Sequence, residues 1–386
     1  MNICRNWDNT QHPYIHFSPD ASVDESTRAW QGCPTVAVTA GGRLFAGWYT
    51  GGAFEPCIDN YNVLVMSDDG GETWTKPILT VDTDREHRMR NIDIELWMAP
   101  GYVLWVLWTL SPYYETSKPV SIRDGGGWDY HREFPYTMVM MCKNPDADEL
   151  VWEAPRILCE GFMRNKPIVT STGRIIAPAY DYSGTQYTLR VSDDGGVSFR
   201  TVAVSGKPDV CVYDEIAIYE KSDGTLRFLA RTNRGYYVSS ESSDNGEHWT
   251  EAEPWESAPS TRCYIGRLKN GMTAYIRNGS DTARTGMKIC LSEDDGATFP
   301  YELELDDRTN VSYPDLDEGP DGTLYLVYDR ERDNRIGLNR ETWTSTAAKE
   351  ILLCKLTTED IKTGKPSKDS LIRRTLSRGG KHFVER

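Results

Sequence analysis

The sequence predicts an all-β chain folded as a six-bladed β-propeller, and two independent repeats predict it. Short turns ending in Gly lead six times into apolar, β-rich runs, at Gly42, Gly101, Gly173, Gly224, Gly271 and Gly322, with spacings of 59, 72, 51, 47 and 51 residues. A box of the form Ser-x-Asp-x-Gly-x-x-(Trp/Phe) occurs four times: Ser67 to Trp74, Ser192 to Phe199, Ser242 to Trp249 and Ser292 to Phe299. The last three begin 50 residues apart. Asp-Gly and Asn-Gly between strand-like runs mark tight hairpins. Six such units with four strands each, closed radially, make a propeller.

In chain order, residues 1–27 form an N-terminal segment, residues 28–362 the propeller and residues 363–386 a polar, basic tail that packs outside or frays. Ring closure requires one terminus to complete a blade, and either Pro13 to Phe17 or Ile351 to Leu356 is strand-like enough to do so. The two wide spacings locate insertions, near Pro112 to Tyr136 and in the following connection. A degenerate fifth box runs from Asn144 to Trp152, retaining Asp146 and Trp152. Arg330 to Lys349 is polar and reads as an inserted loop. Helical periodicity is scarce apart from a turn near Thr358 to Lys362. Within each box, Ser and Asp side chains can bond nearby amides and Gly permits left-handed backbone, so the aspartates read as structural, placed between outer strands.

Charged residues make up 26% and hydrophobic residues 39% of the 386, an ordinary globular composition. The net charge of −15 argues against a nucleic-acid partner and against an anionic membrane surface. No run of 18 apolar residues reads as a membrane span, and the first residues lack signal-peptide character, so a cytoplasmic chain is expected. Cys4, Cys33, Cys57, Cys142, Cys159, Cys211, Cys263, Cys290 and Cys354 form no CxxC pair and read as free thiols, mostly buried. The histidines do not cluster, and His12 and His16 flank an extended stretch, so neither a metal nor another cofactor is expected.

Four boxes in a six-bladed pattern resemble the sialidase (neuraminidase) superfamily, over roughly residues 28–358. Family members use a Tyr nucleophile activated by a Glu, with arginines on the substrate carboxylate. Ser312-Tyr313-Pro314-Asp315-Leu316 is similar to the family's nucleophile segment, with Pro in place of Ser. Tyr213-Asp214-Glu215, followed after one hairpin by Arg231, is similar to the pair of base and second arginine. Arg284, eight residues before Ser292, matches the third arginine. The resemblance thus implies Tyr313 as nucleophile, Glu215 as its base, and Arg231 and Arg284 as clamps on an acidic group. The chemistry is coherent: a phenol needs a neighbouring base at neutral pH, and guanidinium forks suit a carboxylate. The bland alternative is a strand Tyr and a buried Glu215–Arg231 ion pair.

The departures are as informative. Gln31-Gly32-Cys33-Pro34 stands where the family carries its first arginine, so Gly32 replaces that residue. The usual Asp-x-Arg of the next strand is absent from Gly47-Trp48-Tyr49-Thr50. Arg90 and Arg164 are candidate replacements, within Arg90-Asn91-Ile92-Asp93 and Arg164-Asn165-Lys166-Pro167, and Asp93, Lys166 and Gln31 are further candidate substrate contacts. The acid/base is expected in the Gly51–Asn60 loop, with Glu55 favoured by spacing and Asp59 by residue type. Trp30, Trp48, Tyr49, Trp97, Trp128 and Tyr180 fall near inner-strand ends, where a glycan cleft would use some of them.

The expected function is an exo-acting glycoside hydrolase of sialidase type, with a glycan or small acidic sugar as substrate. A non-catalytic carbohydrate-binding propeller, and a propeller glycosidase or lyase for another glycan, remain the alternatives.

Overall fold

Each of the six hairpin glycines lies between the first and second strands of a blade, in left-handed backbone with φ between +82° and +89°. Gly reaches this conformation without steric cost, and the turn it makes lets two apolar runs fold back on each other. The computed structural model describes residues 11–87, 89–112, 135–181, 184–208, 213–342 and 344–380. Cys4, Cys211, Trp128 and most of the Pro112–Tyr136 insertion lie outside these residues.

Six antiparallel sheets follow one another along the chain. Their innermost strands are Trp30–Val38, Met89–Ala99, Ile168–Val169, Ala217–Glu220, Tyr264–Arg267 and Val311–Glu318. Facing sheets bury apolar side chains between them. Blades one and two share Phe45, Leu64, Leu96, Trp108 and Met140, and blades five and six share Ile276, Ile289, Leu316, Leu326 and Leu352. The core is therefore a ring of inter-blade layers. Among the described residues, no helix is long and apolar enough to cross a membrane.

Ring closure uses the expected Ile351 to Leu356 run as a strand of blade six, but a further segment completes that blade. Among the described residues, no blade combines strands from both ends of the chain. Ile15–Phe17 adds a fifth, outer strand to blade one, against Leu79–Val81. Blade six is completed by Leu371–Arg378, which pairs with Glu350–Leu356. The segment read as a tail after residue 362 thus supplies a sheet edge, with Ile372 and Leu376 packed against the apolar layers and Arg373, Arg374 and Arg378 exposed. A short helix, Thr358–Thr363, precedes it, with Thr357 and Asp360 capping each other's amides and Gly364 ending it in left-handed backbone. The seam between blades six and one is closed by side chains. Arg28 donates to Ser377 Oγ at 3.0 Å, Gln31 Nε2 to the Lys349 carbonyl, and the Cys33 amide to Asp329 Oδ2 at 2.8 Å. The polar Arg330–Lys349 insertion carries a small ladder between Leu338–Asn339 and Thr344–Ser345.

The four boxes follow the third strand of their blades. In each, the Ser hydroxyl donates to the Asp carboxylate at 2.7–2.8 Å and accepts from the Gly amide at 2.8–3.0 Å. Hydrogen bonds hold the carboxyls of Asp69, Asp244 and Asp294 down at about 2. The fifth box is shifted from its expected register. Asn144 takes the Asp role, accepting from the Val151 amide at 2.7 Å. Asp146 instead reaches across to Thr39 and the Gly41 amide of blade one.

The box glycines also touch the preceding blade. A Cβ on Gly196, at φ +87°, would lie 2.4 Å from the Trp105 ring. Gly196→Ala is expected to destabilise the protein by about 2–4 kcal/mol, from left-handed backbone plus overpacking. Urea unfolding at unchanged m-value measures this.

Candidate active site

Three innermost strands are bulged at corresponding points near their N-terminal ends, where the register slips between Gly32 and Thr35, Ile92 and Glu95, and Ser312 and Asp315. Each bulge holds one non-glycine residue in left-handed backbone: Cys33 at φ +58°, Asp93 at +59° and Tyr313 at +54°. Glu215, just before the fourth innermost strand, has φ +42°. Such conformations cost about 1–3 kcal/mol each and persist where the surroundings fix them. Here they turn Asp93, Tyr313 and Glu215 into a cavity of about 250 Å³ at the start of the inner strands.

Tyr313 Oη donates to Glu215 Oε1 at 2.7 Å. Arg231 Nη1 lies 2.9 Å from Glu215 Oε2 and 3.4 Å from Tyr313 Oη. Burial works against the Glu215 charge, but Arg231, then Arg164, hold its carboxyl down at about 2. Burial and the Glu215 charge push the Tyr313 phenol up to about 12, against Arg231, Arg332 and Arg284. The site therefore holds an ionised Glu215 beside a neutral phenol. Glu215 is fixed from behind. Asn165 Nδ2 donates to the Glu215 and Ile216 carbonyls at 3.0 Å, and the Arg231 amide donates to the Asp214 carbonyl at 2.9 Å. Asp214 itself is buried against Lys207 at 2.7 Å.

Arg284 also lines the cavity, its guanidinium 5.5 Å from the Tyr313 ring centre and donating to the Ser260 carbonyl. Burial, then the Arg332 charge, lower its pKa. Arg164 enters the cavity paired with Asp93 at 2.7 Å. Burial raises the Asp93 carboxyl despite this partner.

Arg332 is the residue that sequence reasoning missed. It lies in the polar insertion after the second strand of blade six, Leu324–Arg330, and its guanidinium sits 4.5 Å from the Tyr313 ring centre. A Cβ on Gly32 would lie 2.8 Å from Arg332 Cδ and 2.9 Å from Asp329 Oδ2. Residue 32 is thus glycine where the Arg332 side chain passes. The available signal was the ring itself, which sets blade six beside blade one and an arginine-bearing insertion beside the vacated position.

Several other expectations are corrected. Arg90 is buried and does not line the cavity, its charge lying near the Tyr49 phenol. Lys166 is spent below the cavity, 3.0 Å from Asp315 and donating to the Val36 and Leu316 carbonyls. Gln31 belongs to the blade seam, accepting from Ser377 Oγ at 3.2 Å. Asp59 is exposed and pairs with Arg85 at 2.7 Å, outside the cavity. Glu55 does line it, 3.0 Å from Arg332 Nη2, and burial raises its pKa despite that partner. Of the proposed cleft aromatics, Tyr49 lines the cavity, joined by Phe162 and Tyr213, which the sequence did not single out. Trp97 lines a groove at the other end of the inner strands, while Trp30, Trp48 and Tyr180 are buried.

Cys33, Glu55 and Asp93 bring one donor atom each within 4.8 Å of one another. Arg332 and Arg164 already pair with these donors, and two adjacent guanidiniums oppose a cation there.

Residues 143–326 match the BNR repeat-like domain family. An anhydrosialidase of Macrobdella decora is 28% identical over 202 residues, 46% of this chain but 26% of that protein's length. The match therefore spans about a quarter of that relative. The intramolecular trans-sialidase from Ruminococcus gnavus, solved with oseltamivir carboxylate, superposes over 90% of this chain and 98% of its own, with a TM-score of 0.64 at 16% identity. The leech intramolecular trans-sialidase superposes over 90% of this chain and 71% of its own, with a TM-score of 0.65 at 15% identity. The repeat match over residues 143–326, the six sheets and these superpositions agree on one fold, a six-bladed β-propeller like those of the sialidase structures, with a BNR repeat-like region.

Proposed function

We propose that the cavity cleaves a terminal acidic sugar, a sialic acid or a relative of it, from a glycan by a retaining mechanism with Tyr313 as nucleophile. The observation that carries this reading is the Tyr313–Glu215 hydrogen bond of 2.7 Å, set among Arg231, Arg284 and Arg332. Glu215 takes the phenolic proton as Tyr313 Oη attacks the anomeric carbon. A neutral phenol approaches a carbon that bears a carboxylate without the repulsion an anionic nucleophile would meet. Four arginines face three carboxylates in the lining, Glu55, Asp93 and Glu215, so the cavity carries one surplus positive charge. That surplus suits a monoanionic ligand. A volume of about 250 Å³ suits a single sugar residue, hence exo action.

Glu55 is the proton donor to the leaving oxygen. It works protonated, and burial moves its pKa above the ordinary carboxylate value. Glu215 works ionised, and its acid limb lies far lower. Activity should therefore hold through the mildly acidic range and fall as pH rises through the Glu55 pKa. Glu55→Gln should remove that alkaline limb and slow alkyl glycosides more than aryl glycosides, whose leaving groups need less protonation. A pH–rate series on both substrate types checks this.

The deciding experiment is hydrolysis of methylumbelliferyl glycosides of N-acetylneuraminic acid and of other acidic and neutral sugars, by wild type and Tyr313→Phe. Release lost in the variant supports the reading. No release from any sugar, with tight glycan binding by both proteins, would favour a binding propeller. The names of the relatives support a second reading, in which a hydroxyl of the sugar itself captures the glycosyl group. The apolar walls from Tyr49, Ile92, Phe162 and Tyr213 favour it by limiting water. Product mass separates the two readings, because the internal transfer yields a product lighter by one water.

A further inference from the structure

Both terminal nitrogens of Arg332 are engaged by partners within the cavity. Nη2 meets Glu55 Oε1 at 3.0 Å, and Nη1 donates to Cys33 Sγ, a weak acceptor, at 3.0 Å. Its guanidinium lies over the Tyr313 ring, beside the atom that attacks. A sugar carboxylate that uses this fork must take it from Glu55. We infer that Arg332 switches partners: it holds Glu55 ionised in the empty cavity and, on taking the substrate carboxylate, releases Glu55 to pick up the proton delivered to the leaving oxygen. This inference rests on the proposed function.

The groups facing Glu55 support it. From blade six come Arg332, Arg335 and Asp329; from the innermost strands of blades one and two come Cys33 and Asp93; Tyr49 and Arg164 complete the surroundings. Arg332 is the largest influence favouring the Glu55 charge, and burial already opposes it. An anion on Arg332 neutralises that support and adds a like charge nearby, and both changes favour protonation.

The proton balance is complete. Glu55 takes one proton from solvent as the substrate binds. It gives that proton to the glycosidic oxygen as the bond from the anomeric carbon to that oxygen breaks. The bond from Tyr313 Oη to the anomeric carbon forms, and the phenolic proton passes to Glu215. Recognition of the acid and arming of the acid catalyst are then one event, and a neutral sugar in the same cavity would not arm it.

Calorimetry on Tyr313→Phe, which binds without turnover, tests this with N-acetylneuraminic, glucuronic and galacturonic acids as probes. Titrations at each pH from about 5.5 to 8, in Mes and Bis-Tris at the lower end and Hepes and Tris at the upper, pairs that differ in ionisation enthalpy, count the protons exchanged. The expected result is net uptake, up to about one proton per bound acid, greatest between the Glu55 pKa values of the free and bound states. The Glu55→Gln, Tyr313→Phe double variant should still bind and show no uptake. Binding without proton exchange, or equal uptake in the double variant, would overturn the switch and leave the proposed function standing. Failure of every acid to bind would overturn both.

Discussion

Tyr313→Phe is expected to lower kcat by about 10³-fold or more, the scale of losing a covalent nucleophile that acts with its base as a unit. The ring should stay in place. It is buried, and the guanidiniums of Arg332, Arg164 and Arg284 lie 4.5, 5.1 and 5.5 Å from its centre. The lost hydroxyl leaves Glu215 still paired with Arg231, so the stability cost should be about 1 kcal/mol. KM or ligand affinity should change little. Steady-state kinetics beside thermal unfolding separate these effects, and an active variant would remove Tyr313 from the mechanism.

Arg332→Met should lower kcat/KM by about 10²- to 10³-fold, the effect of truncating one partner of a buried, charge-assisted contact. The structure supplies a sharper control. Gly32 and Arg332 compete for the same space, so Gly32→Arg alone should also inactivate, by colliding with the Arg332 stem. The double variant Gly32→Arg, Arg332→Gly returns an arginine to blade one, where its Cβ still meets Asp329 Oδ2 at 2.9 Å; if that carboxylate turns aside, activity should recover about tenfold over Arg332→Gly alone. Kinetics on an acidic substrate across the three variants measure this. No recovery, in a protein that folds, would mean that the backbone from which the guanidinium approaches matters as much as its charge.

The propeller was legible because its punctuation is local. A left-handed Gly at a hairpin, or a Ser–Asp–Gly turn, depends on residues a few positions apart, and each recurred often enough to set a period. Tyr313, Glu215, Arg231 and Arg284 were legible for a related reason. Each stands at a fixed offset from a hairpin or a box, and the structure brings them to one cavity. Arg332 was not legible, because its meaning depends on Gly32, some 300 residues away, and on a seam that exists only once the ring has closed. Gln31 and Lys166 show the complementary failure. Lys166 lies two residues after Arg164, a spacing that would share its face on a regular strand, and Gln31 lies in the blade-one strand just before its bulge, yet neither reaches the cavity. Gln31 was turned to blade six and Lys166 to Asp315. Asn144 shows a smaller one: in the irregular box, the acceptor role moved two positions from the surviving Asp, which spacing alone did not reveal.

The seam between the first and last blades has a consequence of its own. Propellers that weave both termini into one sheet lock their ring with a continuous ladder, whereas here the joint is a row of side-chain contacts around Arg28, Gln31, Cys33 and Asp329. Glu55 and Arg332 face each other across that joint. The polar side of the joint and the proposed clasp on the ligand therefore meet at Arg332, which holds Cys33 and Glu55 of blade one. On the proposed function, a molecule whose ring opened there would lose its proton donor's partner with every blade still folded, so intact sheets would not by themselves imply a working catalyst.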